Sequence, residues 1–145
     1  MADRYLVDTG VFVRWYIEQD GYQDALALQT AYVAGGVELE TVDFVRYELG
    51  DVLRRKGLLM QKITADDYVA AARSLDDLGV AVHVTTADVL AHAADLAAHR
   101  MISFFDALLL AWSLELGTTV LTTDKRLCSA AAGTARTQLL SGWLP

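Results

Sequence analysis

The chain has 145 residues, 54% of them hydrophobic, with a single cysteine, a single proline and a formal net charge of −7. That balance excludes a protein that coats nucleic acid through a broad basic face, and the lone Cys128 excludes an internal disulfide framework. The longest uncharged apolar run, Ala107 to Trp112, is six residues, far short of the roughly 20 a membrane helix needs. Met1-Ala2-Asp3-Arg4 lacks the apolar stretch of a signal peptide. The expectation is a cytoplasmic protein folded as one domain over 1–145, with no membrane attachment.

Tyr5-Leu6-Val7 is a short apolar run ending in Asp8-Thr9-Gly10, as a strand buried on both faces would. Val11, Phe12, Trp15 and Tyr16 then follow helical spacing. Asp20-Gly21 reads as a turn, and Tyr22 to Val33 as a second helix stopped by Gly35-Gly36. Val37 to Val42 alternates apolar and polar, which predicts a half-exposed strand. Asp43 is expected to cap a helix that runs to Lys56 and closes at a left-handed Gly57.

Thr64-Ala65-Asp66-Asp67 opens a helix to about Leu78, before Gly79 and a strand at Val80 to Val84. Thr86 opens the next helix, to about His99, and Ser103 the one from Phe104 to Leu116, which Gly117 ends. Thr118 to Leu121 predicts a strand, Asp124 starts a short helix to about Ala131, and Thr137 to Leu140 fits an edge strand. Strands alternating with helices imply an α/β fold of three layers, α/β/α, around a mainly parallel sheet.

Four acids stand out against this frame. Asp8 and Asp124 each follow a buried strand and have threonine beside them, and in a parallel sheet both strand ends face the same way. Glu48 lies among Val45, Leu49 and Val52 on the apolar side of its helix, where an unpaired carboxylate is costly. Asp106 is the one early acid in a helix crowded with Phe104, Phe105, Ala107, Leu108, Leu109 and Leu110. Taken singly, Asp106 and Asp124 also read as helix caps, and Glu48 as an edge residue reaching water or an arginine. Taken together, four carboxylates at one end of a sheet repel one another and call for a cation. Oxygen donors alone favour Mg²⁺ or Mn²⁺ over zinc.

Val7-Asp8-Thr9, Arg46-Tyr47-Glu48-Leu49, Ser103-Phe104-Phe105-Asp106-Ala107 and Thr122-Thr123-Asp124 resemble the motifs of PIN-domain ribonucleases, and within them of the VapC-type toxins of toxin–antitoxin pairs. The resemblance covers essentially the whole chain. It implies a PIN-like three-layer fold, a Mg²⁺- or Mn²⁺-dependent cut in RNA, a homodimer, and inhibition by a cognate antitoxin. Carried over by position, Asp8, Glu48, Asp106 and Asp124 hold the metal, with Thr9 and Thr122 as supporting hydroxyls. Gly10 stands where the family usually has a small polar residue, and Leu127 where it often has an aromatic.

Other residues read more plainly. Arg14, Lys125 and Arg126 are either solvated charge or contacts for substrate phosphates, and Arg54-Arg55-Lys56 offsets a helix dipole. His83, His92 and His99 lack zinc spacing, and Cys128 fits a buried structural thiol. Phe12, Trp15 and Tyr16 are core residues or anchors for a partner. Two other functions compete: a PIN fold that only binds, and a phosphoacceptor receiver-like domain. The receiver reading needs an acidic pair at the end of strand one, where Asp8 is followed by Thr9-Gly10.

Overall fold

A computed structural model describes residues 2–145. Five parallel strands form one sheet, β1 (Asp3–Val7), β2 (Val37–Val42), β3 (Ala81–His83), β4 (Thr119–Thr122) and β5 (Thr137–Leu139), in the order β3-β2-β1-β4-β5. The helices are α1 (Thr9–Val13), α2 (Tyr22–Val33), α3 (Asp43–Leu53), α4 (Ala65–Asp77), α5 (Ala87–Arg100), α6 (Phe104–Leu116) and α7 (Lys125–Ala131). α1, α3 and α4 pack together, as do α5 and α6, which gives the three-layer α/β/α arrangement expected.

β1 lies at the centre, between β2 and β4, and Leu6 and Val7 at its end are fully buried. Its neighbours are the strand that follows it and one more than a hundred residues on, with Leu6 opposite both Glu40 and Val120. The chain therefore builds the sheet outward on one side, then crosses β1 and builds outward on the other. Such a crossing opens a crevice at the carboxyl ends of the two central strands.

Caps and stops follow local chemistry at most helix ends. The hydroxyls of Thr64, Thr86 and Ser103 accept the N–H groups of Asp67, Val89 and Asp106 and start α4, α5 and α6. Gly117, at φ 63°, ends α6. Along α6, Ala107 to Ser113 are all buried, so this helix fills the space between α5 and the sheet.

Three expectations from the sequence are corrected. β2 is buried almost throughout rather than half-exposed, because Glu40, only 6% exposed, is paired internally. Asp43 is the first residue of α3 rather than its cap, and its carboxylate accepts the Thr85 N–H and hydroxyl at 3.1 and 2.8 Å. Gly57 does not end the helix in a left-handed conformation. It lies inside a π-helical turn, Arg54–Leu58, that continues α3, and the left-handed residue is Gln61, at φ 57°.

Candidate active site

The crevice beside β1 is a cavity of about 340 Å³, and its lining includes Asp8, Glu48, Asp106 and Asp124. All four acids singled out in the sequence meet there. Thr9 lines the same cavity, as do Gly10, Arg14, Lys56 and Thr123.

Asp8 is held through both oxygens. One accepts the Thr9 N–H at 2.7 Å, and the other the Thr122 hydroxyl at 2.8 Å. Burial pushes its carboxyl up to about 6, with the Asp106 and Glu48 charges adding to the rise and the Thr122 and Thr9 hydrogen bonds opposing it. Thr122 is fully buried, and its oxygen also accepts the Asp124 N–H at 3.0 Å. One hydroxyl thus ties together the acids that follow β1 and β4.

Asp124 caps α7, accepting the N–H groups of Arg126 and Leu127 through a single oxygen, Oδ1, at 2.8 and 3.3 Å. The cap reading was correct, and it leaves Oδ2 available to the cavity. Glu48 comes from the middle of α3, and among the described residues it makes no hydrogen bond or ion pair. For Asp106, the cap is made by the Ser103 hydroxyl accepting its N–H at 3.1 Å, so the carboxylate itself faces the other acids. Burial pushes that carboxyl up, the Ser103 hydroxyl opposes this, and the charges of Asp124 and Glu48 add to it.

The donor set suits a hard divalent cation: oxygen only, with excess negative charge. The hydroxyl of Thr9 adds a second observation, since it is buried and has no hydrogen-bond partner. Such an atom needs water or a ligand to satisfy it. Among the described residues, however, no three acids, histidines or cysteines stand close enough to enclose an ion as they are. Asp8 and Asp124 are anchored by hydrogen bonds, whereas the Glu48 carboxylate makes none among the described residues. The donor chemistry of the site fits a divalent cation, which Asp8, Glu48, Asp106 and Asp124 would hold.

Several other residues take roles the sequence left open. Arg14 lines the cavity, but its Nε and Nη1 donate to the carbonyls of Asp20 and Gly10 at 2.6 and 2.8 Å, so it ties the turn at Asp20 to the start of α1. Gly10 is required by a close approach: a Cβ there would lie 2.8 Å from the Thr123 hydroxyl oxygen. Lys125 and Arg126 are not among the lining residues, whereas Lys56 is. Phe12 and Trp15 are buried in the core, and Trp15 Nε1 donates to the Ala25 carbonyl at 2.8 Å. Sequence reasoning missed Thr123 and Lys56; an adjacent second threonine was the only hint of the first.

Over residues 5–133 the chain matches the family model of the PIN domain, and it belongs to that family, a class made up generally of nucleases. No curated protein matches it. Among solved structures, FitAB bound to an IR36 DNA fragment is similar with a TM-score of 0.71 at 18% identity, over 97% of this chain and 98% of that one. The VapC20 toxin of Mycobacterium tuberculosis, which cleaves the sarcin-ricin loop, gives 0.68 at 22% identity over 90% and 96%. PAE2754 from Pyrobaculum aerophilum gives 0.67 at 20% over 97% and 93%. At these identities the likeness is one of fold.

Proposed function

We propose that the protein is a Mg²⁺- or Mn²⁺-dependent ribonuclease, and that it acts as the toxin of a toxin–antitoxin pair. One observation carries the nuclease reading: four carboxylates from four separate elements of a PIN-domain chain converge on one cavity, and among the described residues none of them is paired with a cation. A purely binding module has no need to hold such repulsive charge together. The receiver-like alternative loses its support with membership of the PIN family.

In this reading Asp8, Glu48, Asp106 and Asp124 hold the metal. A divalent ion there would supply the charge that activates water and stabilises the departing oxygen in phosphodiester hydrolysis. Thr122 fixes the distance between Asp8 and Asp124, Thr9 offers its unpaired hydroxyl to a water or phosphate oxygen, and Arg14 ties the first turn of α1 at Gly10 to the Thr123 loop.

Three further expectations belong to the proposal: one domain over 1–145, a homodimer, and a cognate antitoxin as partner. Exposed apolar surface supports covering partners, for Phe104 and Phe105 are 40% and 54% exposed and Met101 96%. A cytoplasmic location is proposed with the RNA substrate. No described helix is long and apolar enough to cross a membrane.

Cleavage of total RNA by the purified chain, beside Asp8→Ala and with EDTA controls, tests the reading. Cutting that requires both the metal and Asp8 is the expected result. A well-folded protein that cuts no RNA in either ion would leave the binding module as the better account.

A further inference from the structure

Lys56 is brought to the acid cavity by an irregularity of the backbone. Glu48, Val52 and Lys56 all line it, at spacings of four residues along one continuous rod of chain. At about 100° per residue, a regular α-helix would leave Lys56 rotated by about 80° from Glu48. The π-helical turn Arg54–Leu58 reduces this angle over the last steps to Lys56. Its bonds run from Leu59 N–H to Arg54 O and from Lys62 N–H to Gly57 O, both 2.9 Å. The wider coil turns less per residue and so returns Lys56 toward the Glu48 face; π turns of this kind are frequent at functional sites.

Packing holds that turn in place. A Cβ on Gly57 would lie 2.9 Å from Ile63 Cδ1 and 3.3 Å from Ile17 Cδ1, so the turn lies tightly against both side chains. Of the two cations that line the cavity, Arg14 is already committed to backbone carbonyls. Lys56 makes no ion pair or hydrogen bond among the described residues, although its own neighbours Arg55 and Arg54 lie on a chain rich in acids. A compact ammonium with three free donors, at the rim of a carboxylate-lined cleft, suits a group that is anionic and arrives from outside.

We propose that Lys56 binds a backbone phosphate of the RNA and positions the strand across the carboxylates. The proposal rests on the ribonuclease reading and adds to it the residue that admits a polyanion to an acidic site. Such a contact offsets part of the repulsion that a chain of net charge −7 exerts on a polyanion.

Lys56→Ala and Lys56→Arg are compared with wild type for cleavage of total RNA and of an oligoribonucleotide spanning a wild-type cut site. Binding of a fluorescein-labelled, random-sequence 20-nucleotide RNA is measured in Mg²⁺ over a range of salt, in an Asp106→Asn background expected to cut at least about a hundredfold more slowly. Lys56→Ala is expected to raise KM about tenfold with kcat little changed. It should also reduce the slope of log affinity against log salt by about 0.7, the effect of one phosphate contact on a single strand. Lys56→Arg should recover most of both, and melting temperature and Mn²⁺ affinity should stay at wild-type values. Unchanged KM and salt slope, a loss confined to kcat, or an arginine variant no better than alanine overturns the role of Lys56 while the nuclease stands. Wild-type protein that neither cuts nor binds RNA overturns both.

Discussion

Two regions of the sheet bury carboxylates, and they treat them in opposite ways. Glu40, in β2, receives Arg4 Nε and Nη2 at 2.5 and 2.6 Å and lies 2.9 Å from His83 Nε2. Burial pushes its carboxyl up, but Arg4 and His83 outweigh that and hold it below the ordinary range. Asp8, just past the end of the neighbouring strand β1, accepts only from neutral donors and has other acids near it, and its carboxyl rises to about 6. Glu40 is complete as it stands, with its ring partner His83 packed 5.1 Å from Trp112. Asp8 and its three companions are complete only with something positive added. The difference separates an acid that serves the fold from acids that the fold must tolerate, and tolerance of that kind marks function.

The comparison breaks first if charge at the cavity is dispensable. Asp106→Asn is expected to reduce cleavage by about a hundredfold or more, the worth of several kcal/mol of charge stabilisation. Its helix should persist, since the Ser103 hydroxyl and not the carboxylate makes the cap. Circular dichroism beside an RNA cleavage assay checks both halves.

Added cation gives the next largest effect. Mg²⁺ or Mn²⁺ at a hundred times its dissociation constant should stabilise the wild type by about 2.7 kcal/mol, seen as a rise of several degrees in melting temperature. Glu40→Gln should melt lower but respond to the ion in full, whereas Asp106→Asn should respond weakly. An equal loss of response in both variants would erase the distinction between the regions.

Acidity sharpens it further, because the two acids should give stability opposite slopes. In EDTA, Asp8 binds its proton more tightly in the folded state than in the unfolded one. Its contribution is therefore present at low pH and is lost as pH rises from about 4 through 6, by on the order of 1–3 kcal/mol. Glu40, with its carboxyl held low, contributes above the ordinary glutamate range and loses that contribution as pH falls through it. Denaturant melts from pH 3 to 7 on Asp8→Asn should lack the first trend, and on Glu40→Gln the second. The smallest effect belongs to Thr122→Val, which keeps the shape but removes the hydroxyl that joins Asp8 to Asp124. A loss of about tenfold in cleavage, with stability lowered by about 1 kcal/mol, is expected.

The four acids were legible because each conflicted with its surroundings: Asp8 and Asp124 end buried strands, and Glu48 and Asp106 interrupt apolar helix faces. Local pattern was enough to suspect them, and chain order in a parallel sheet was enough to bring two of them together. Glu40 was not legible, since alternation in Val37–Val42 reads as solvent exposure when its arginine lies 36 residues away and its histidine 43. Lys56 was hidden by the glycine after it. Gly57 has the look of a helix stop, but its lack of a side chain serves close packing against Ile63 and Ile17 inside a turn that no residue pattern announces.

The bond from Thr122 to Asp8 spans 114 residues, and β4 reaches the sheet only by docking on the first strand made. Growing from its N-terminus, the chain therefore carries Asp8 and Glu48 before the strand that brings Thr122 and Asp124 beside them is made. Asp124 and the hydroxyl that aligns it follow only with β4, so a chain that stops short of that strand lacks part of the acid site. The acid site is thus completed by the second pairing that β1 makes, and not before it.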